Sequence, residues 1–403
     1  MKIRKQNTRR EGIGSRRRSL TLVMLGGMAA MLPGLGYAGD GPVGASIFEA
    51  RTDHDAIDQP YVIAEVPDAI YETPGAGNCR AAYRNKPLNK MPYVVVFPGD
   101  TGNFGNTNPD NASRNDYYQG VLTREAIRLA NEGTCVRVVA VETSPTYTGY
   151  VRYPRTGFDY ANLSGSPDIY LPMTNGATAI FNITRHIQSN PKYSGAERWY
   201  LHGGSAGAMN VARMIDMLND SVVSRYQYKI PEAVLLESLP ISGDMYETCR
   251  KMNPASVGYA IVGREYGIPG ACGFAADNPQ AYNYKVYSGN IKNWYLGTQG
   301  KRINIMMGAD DLLWKGTTTA AGWTSLGVYK NFIDTIGVSE CVGSGYQASY
   351  ETEISDHDRW FDCESGKIRI RQFQSGGHGP LYNSSTGYHP YGSAEEHLRA
   401  WLQ

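Results

Sequence analysis

From Tyr61 onward the chain alternates short β-rich runs with stretches whose apolar residues recur every three or four positions, and this alternation is what most restricts the fold. Runs that are apolar throughout suit strands buried on both faces. The helical stretches between them are what cover those faces, so the pattern implies an α/β protein with a largely parallel sheet. The strand candidates are residues 93–97, 136–141, 199–201, 233–236, 303–307 and 368–373; the helix candidates are 122–131, 177–187, 206–218, 326–336 and 394–402. Residues 46–55 and 61–66 are expected to start the sheet as a hairpin-like pair, and no internal repeat is visible. Two stretches exceed ordinary connections: 144–175, rich in Tyr, Pro and Gly, and 242–300, which holds Cys249 and Cys272. Long irregular segments in a compact domain are usually lids or binding loops, with plain surface decoration the other reading.

The first segment carries Arg9, Arg10, Arg16, Arg17 and Arg18, then an apolar run over 20–35, then Gly36-Tyr37-Ala38. A basic stretch, an apolar run and a small-x-small site together read as a signal peptide spanning 1–38, which leaves 39–403 as one domain with insertions at about 144–175 and 242–300. An uncleaved anchor is the rival, disfavoured because Gly26, Gly27, Pro33 and Gly34 interrupt the run and no cysteine follows for lipidation. Ser15-Arg16-Arg17-Arg18-Ser19-Leu20 is similar to a twin-arginine signal except that Ser19 stands where an aromatic residue is usual, so both export routes stay open. Secretion, or release into a periplasm, is the expected localisation. All six cysteines lie after Ala38, and export would let them oxidise; pairing by sequence order gives 79–135, 249–272 and 341–363. Lys plus Arg nearly balance Asp plus Glu, 39 against 38, so nothing suggests a nucleic-acid partner.

Chemistry concentrates in Trp199-Tyr200-Leu201-His202-Gly203-Gly204-Ser205-Ala206-Gly207-Ala208-Met209, a short strand that runs through G-x-S-x-G into a helix. A sharp strand-to-helix turn exposes the serine hydroxyl, glycines leave room for the turn, and the helix N-terminus favours developing negative charge. The pattern is expected to form a nucleophile elbow like that of the α/β-hydrolase fold, with Ser205 as the nucleophile. Acyl transfer also needs N–H donors for the oxyanion. The amide of Ala206 is one candidate; the amide of Asp100, in the turn Pro98-Gly99-Asp100 that ends an early strand, is the second. The acid is expected after a later strand, where Gly308-Ala309-Asp310-Asp311-Leu312 presents two carboxylates; the G-x-x-D spacing favours Asp311, and Asp310 stays open. The chain order Ser, Asp, His then asks for a histidine after the last strand. His378, within Gly376-Gly377-His378-Gly379, fits; His389 is its rival, His397 sits in a helical pattern, and His202 lies too near the elbow along a strand to reach Ser205. The mechanism needs no cofactor, and Asp356-His357-Asp358 lacks the ligand ladder of a calcium loop, so it reads as a charged turn rather than a metal site.

At these residues the sequence resembles secreted esterases of the α/β-hydrolase fold: polyhydroxyalkanoate depolymerases, feruloyl esterases and oxidised polyvinyl alcohol hydrolases. The matching stations are the strand and turn over 94–99, Gly203 to Met209, Leu239-Pro240-Ile241-Ser242-Gly243, the 308–314 stretch and Gly377-His378. Pro98-Gly99 stands where the group usually has histidine-glycine. The resemblance implies an ester hydrolase, favours Asp311, before Leu312 and Trp314, as the acid, and implies an ester substrate, possibly polymeric. Tyr147, Tyr150, Tyr153, Tyr160 and Tyr170 suit a groove for an extended chain. An exported peptidase of the same fold and a non-catalytic binding module are the alternatives. Oligomeric state is not readable from the sequence.

Overall fold

The computed structural model describes residues 46–51, 60–65, 87–97, 135–142, 171–239, 290–308, 311, 332–338, 340–344, 360–373, 388–389, 392–393 and 401–402. The chain divides into two units, Met1–Gly39 and Asp40–Gln403. Every residue of the first unit lies outside the described set, as do the expected helix at 122–131 and most of both long stretches.

The second unit is built on a ten-stranded sheet, counted among the described residues, with the order β1-β2-β4-β3-β5-β6-β7-β10-β9-β8. The strands are β1 (Ser46–Arg51), β2 (Pro60–Glu65), β3 (Tyr93–Phe97), β4 (Arg137–Glu142), β5 (Trp199–Gly204), β6 (Ala233–Glu237), β7 (Arg302–Gly308), β8 (Cys341–Ser344), β9 (Trp360–Cys363) and β10 (Ile368–Phe373). The expected hairpin-like start is present as the antiparallel pair β1–β2, and β2 then pairs antiparallel with β4. From β4 through β3, β5, β6 and β7 to β10 every neighbour is parallel, before β9 and β8 turn antiparallel again. A short pair, β11 (Tyr388–His389) and β12 (Gly392–Ser393), stands apart from this sheet.

The central strands are predominantly apolar because both sheet faces are covered. All five residues of β3 and all six of β5 are buried, whereas β10, nearer the edge, alternates buried Ile368 and Ile370 with half-buried Arg369 and Arg371. The helices α1 (Leu171–Ser189), α2 (Ala206–Met217) and α3 (Asp220–Tyr226) join it. In α2 the buried residues Ala208, Val211, Ala212 and Ile215 recur at three and four positions, which is the stripe a helix needs to lie on a sheet. Asn219 caps α3, its side chain accepting from the Val222 amide over 3.0 Å. The end of the 242–300 stretch is helical too: the π-helix Ile291–Thr298 buries Ile291, Trp294, Tyr295 and Leu296, and the Trp294 indole donates to Asp220 of α3 over 2.8 Å. Among the described residues no helix is long and apolar enough to cross a membrane.

Aromatic packing anchors the lower end of β5. The Trp199 ring stacks on Tyr93 with centroids 5.9 Å apart and meets Tyr228 edge-on, while Tyr228 stacks on Phe181 of α1 at 4.6 Å. The Tyr228 hydroxyl is satisfied by Thr184 at 2.8 Å, and the Trp199 indole donates to the Lys229 carbonyl at 2.8 Å. At the far edge Cys341 of β8 and Cys363 of β9 form a disulfide, the pair expected from sequence order. Cys135 is disulfide-bonded as well.

Candidate active site

Parallel strands end on one edge of a sheet, and Ser205 and Asp311 follow strands that end there. β3, β5, β6, β7 and β10 all run the same way. The register sets Phe97 beside Gly203, Gly204 beside Glu237, and Phe373 beside Gly308, so the chain leaves each strand at the same edge. Such an edge is where open α/β sheets build their sites.

Ser205 stands at the turn from β5 into α2, half-buried, with φ 49° and ψ −118°. A positive φ on a residue with a side chain costs on the order of 1–3 kcal/mol and persists only where the surroundings over-determine it. Two such constraints are visible. The Ser205 amide donates to the Glu237 carbonyl of β6 over 2.8 Å. Behind the turn, a Cβ built on Gly203 would lie 2.6 Å from the Gly207 carbonyl oxygen and 2.7 Å from the Ala208 Cα, so the strand and helix approach closely enough only because residue 203 has no side chain. Ala206 opens α2, which makes its N–H one of the four amides without an intrahelical acceptor.

Asp311 lies just past β7, and its amide donates to the Gly308 carbonyl at 3.3 Å. It is buried, 1% exposed. With β6 the single strand between β5 and β7, the ends of those two strands are roughly 10 Å apart. β10, next to β7, ends at Phe373, five residues before His378. His378 itself, Asp310 and Asp100 lie outside the described residues, as do Asp356, His357 and Asp358. The two strands that lead to Asp100 and His378 end at the same edge as β5 and β7.

His202 and its partner were only half visible in the sequence. As expected, His202 does not turn toward Ser205. It is buried, and its Nε2 is hydrogen-bonded to Glu237 Oε2 at 2.9 Å. Since Gly203 faces α2, strand alternation turns His202 to the opposite face, where its ring meets Trp401 at a tilt of 72°. Glu237 and Ser238 were not anticipated. Glu237 is fully buried at the end of β6, and Ser238 follows it with φ 50° and its amide donating to the Met306 carbonyl of β7 at 2.8 Å. The signal was a charged residue closing the apolar run Ala233-Val234-Leu235-Leu236.

A strand order with an antiparallel second strand, a parallel series and a serine turn after β5 defines the α/β-hydrolase fold. No family model matches the chain, and no curated protein does. Solved structures similar in chain course include Est1E from Butyrivibrio proteoclasticus, at 11% identity, covering 88% of this chain and 95% of that one with a TM-score of 0.41. An esterase of Pyrococcus furiosus is 10% identical, covering 89% and 90% with a TM-score of 0.42. Carboxyl esterase 2 from Tuber melanosporum is 11% identical, covering 84% and 78% with a TM-score of 0.40.

Proposed function

We propose that the protein is an exported serine esterase that cleaves carboxylic esters of a polymer or another bulky substrate through a Ser205, Asp311 and His378 triad. The observation that carries the reading is the conformation of Ser205, held at positive φ in a tight turn between a buried parallel strand and a helix N-terminus. Ser238 also adopts a positive φ, so the support comes from the combination at Ser205: that conformation, the glycine-flanked turn and the helix that starts at the next residue.

In this reading His378 takes the proton from Ser205 Oγ as the oxygen attacks the ester carbonyl carbon. The tetrahedral oxyanion accepts hydrogen bonds from the Ala206 amide and, as second donor, the Asp100 amide. The imidazolium returns its proton to the leaving alcohol, the C–O bond breaks and an acyl-enzyme remains. Water, deprotonated by His378, then attacks the acyl carbon; the imidazolium gives that proton to Ser205 Oγ as the acyl C–Oγ bond breaks, releasing the acid and restoring Ser205 and His378. Asp311 keeps the ring in the required tautomer and stabilises its charged form. The buried position of Asp311 supports that role, because a carboxylate shielded from water interacts strongly with an imidazolium.

The resemblance to secreted depolymerases and feruloyl esterases supports an extended or bulky ester, and the tyrosines between 147 and 170 are the residues assigned to bind it. Export is supported by the basic and apolar segment before Ala38 and by the disulfide between Cys341 and Cys363. The test is turnover of short and medium p-nitrophenyl acyl esters by the chain from Gly39 onward, beside a folded Ser205→Ala variant. Turnover that vanishes in the variant is the expected result. A folded wild type that cleaves aminoacyl amides but not these esters would make it a peptidase, and one that cleaves neither would make it a binding module.

A further inference from the structure

We propose that the buried pair His202 and Glu237 is a positioning device for the nucleophile, an inference that rests on reading Ser205 as that nucleophile. Two ionisable side chains sit against each other at 3% and 1% exposure, Nε2 to Oε2 at 2.9 Å. A buried pair of this kind is a poor way to gain stability, since apolar residues of similar volume commonly do as well or better. Its value lies in where it fixes the chain.

Glu237 grips β5 twice. Its side chain holds His202 and its carbonyl holds the Ser205 amide, one attachment on each side of Gly204, the residue opposite it in the register. On its other side the next residue, Ser238, is held to β7 through the Met306 carbonyl. The end of β6 is therefore tied to both neighbours. The Ser205 N–H is held by one of those ties, and the backbone angles at Ser205 follow from where that N–H points. φ sets the direction of the Cα–Cβ bond, from which χ1 places Oγ, and ψ sets the next peptide plane, which carries the Ala206 N–H. Releasing the Glu237 side chain lets the β6 end shift, and the hydroxyl and the oxyanion donor lose their mutual aim. His202 and Glu237 touch no reacting atom; they act through Ser205.

The test is the rate of inactivation by a fluorophosphonate, with ester kcat and KM measured alongside. Wild type must label and Ser205→Ala must not; if a folded wild type does not label, the nucleophile reading fails and this proposal falls with it. The double variant His202→Leu/Glu237→Leu replaces both partners with apolar groups and so leaves no buried charge unpaired. It is expected to melt at or above the wild-type temperature, yet to label roughly tenfold to a hundredfold more slowly, with kcat reduced and KM little changed. Glu237→Gln keeps a hydrogen bond to His202 and is expected to label within about threefold of wild type. A folded double-leucine variant that labels at the wild-type rate overturns the proposal. So does a folded Glu237→Gln that labels as slowly as roughly a tenth of the wild-type rate, which decides the matter even if the double variant does not fold.

Discussion

The Ser205 amide donates to the Glu237 carbonyl across 2.8 Å, so the N–H at the turn is committed to the sheet, whereas the Ala206 amide opens α2 with no intrahelical acceptor. The same geometry makes residue 203 intolerant of a side chain. Gly203→Ala would bring a methyl within 2.6 Å of the Gly207 carbonyl oxygen, and since both contacts are backbone the helix start has to move. The expected outcome is a loss of about 1–3 kcal/mol in denaturant unfolding and a larger loss in acyl-enzyme formation than in substrate binding. A variant with wild-type stability and rate would show that strand and helix are not in contact there.

Much of the fold was legible because central parallel strands leave a simple mark. The runs at 93–97 and 233–236 are apolar throughout, that at 303–307 is broken only by Asn304, and the helix stripe in 206–218 is regular, so both periods could be read directly. The edge strands β8 and β9 left no such mark. Cys341-Val342-Gly343-Ser344 is short and mixed, and what makes it a strand is its pairing with Trp360–Cys363, a distant segment. The π-helix Ile291–Thr298 was hidden inside a stretch that looked irregular, although Ile291, Trp294 and Tyr295 carry the helical spacing. At the site, Ser205 was plain from its motif. Glu237 was not, since a carboxylate at the end of a run reads as a strand terminus until the neighbouring strand supplies His202.

Alkaline stability follows from the buried phenols. Burial pushes Tyr93, Tyr228 and Tyr295 well above their ordinary value of 10.0; the Thr184 and Gln188 hydrogen bonds only partly oppose it at Tyr228. Burial also raises Tyr200, against the lowering effect of Arg198 and Arg302. A folded pKa above the unfolded one means stability is intact below about pH 10 and falls as pH rises beyond it, because only the unfolded chain ionises there. Phenolate absorbance at 295 nm is expected to rise in two stages, the second coinciding with loss of secondary structure. A single smooth titration in the still-folded protein would contradict the burial of these rings.

The disulfide between Cys341 and Cys363 closes a segment with a sequence separation of 22. Loop-closure entropy for that length gives about 3 kcal/mol. The double variant Cys341→Ala/Cys363→Ala is expected to unfold at lower denaturant by roughly this amount, with the ester kcat of any folded protein little altered, since β8 and β9 lie beyond β10 from the elbow.

Removing one hydroxyl probes the packing under β5. Tyr228→Phe deletes the 2.8 Å contact with Thr184, whose own Oγ1 keeps the Ile180 and Phe181 carbonyls at 2.8 and 3.0 Å. No buried group is orphaned, so the loss is expected to stay near 1 kcal/mol, about the net worth of one hydrogen bond. A loss several times larger would mean that the ring itself has shifted against Trp199 and Phe181.

The most direct measurement is the site of covalent modification. The folded chain would be treated with a fluorophosphonate, weighed intact, and digested to locate the adduct by fragment masses. The expected result is one phosphonyl group per chain on Ser205, blocked by prior incubation with a slowly hydrolysed ester and absent from Ser205→Ala. An adduct on another residue, or none on a folded protein, would contradict the assignment of Ser205 as a nucleophile.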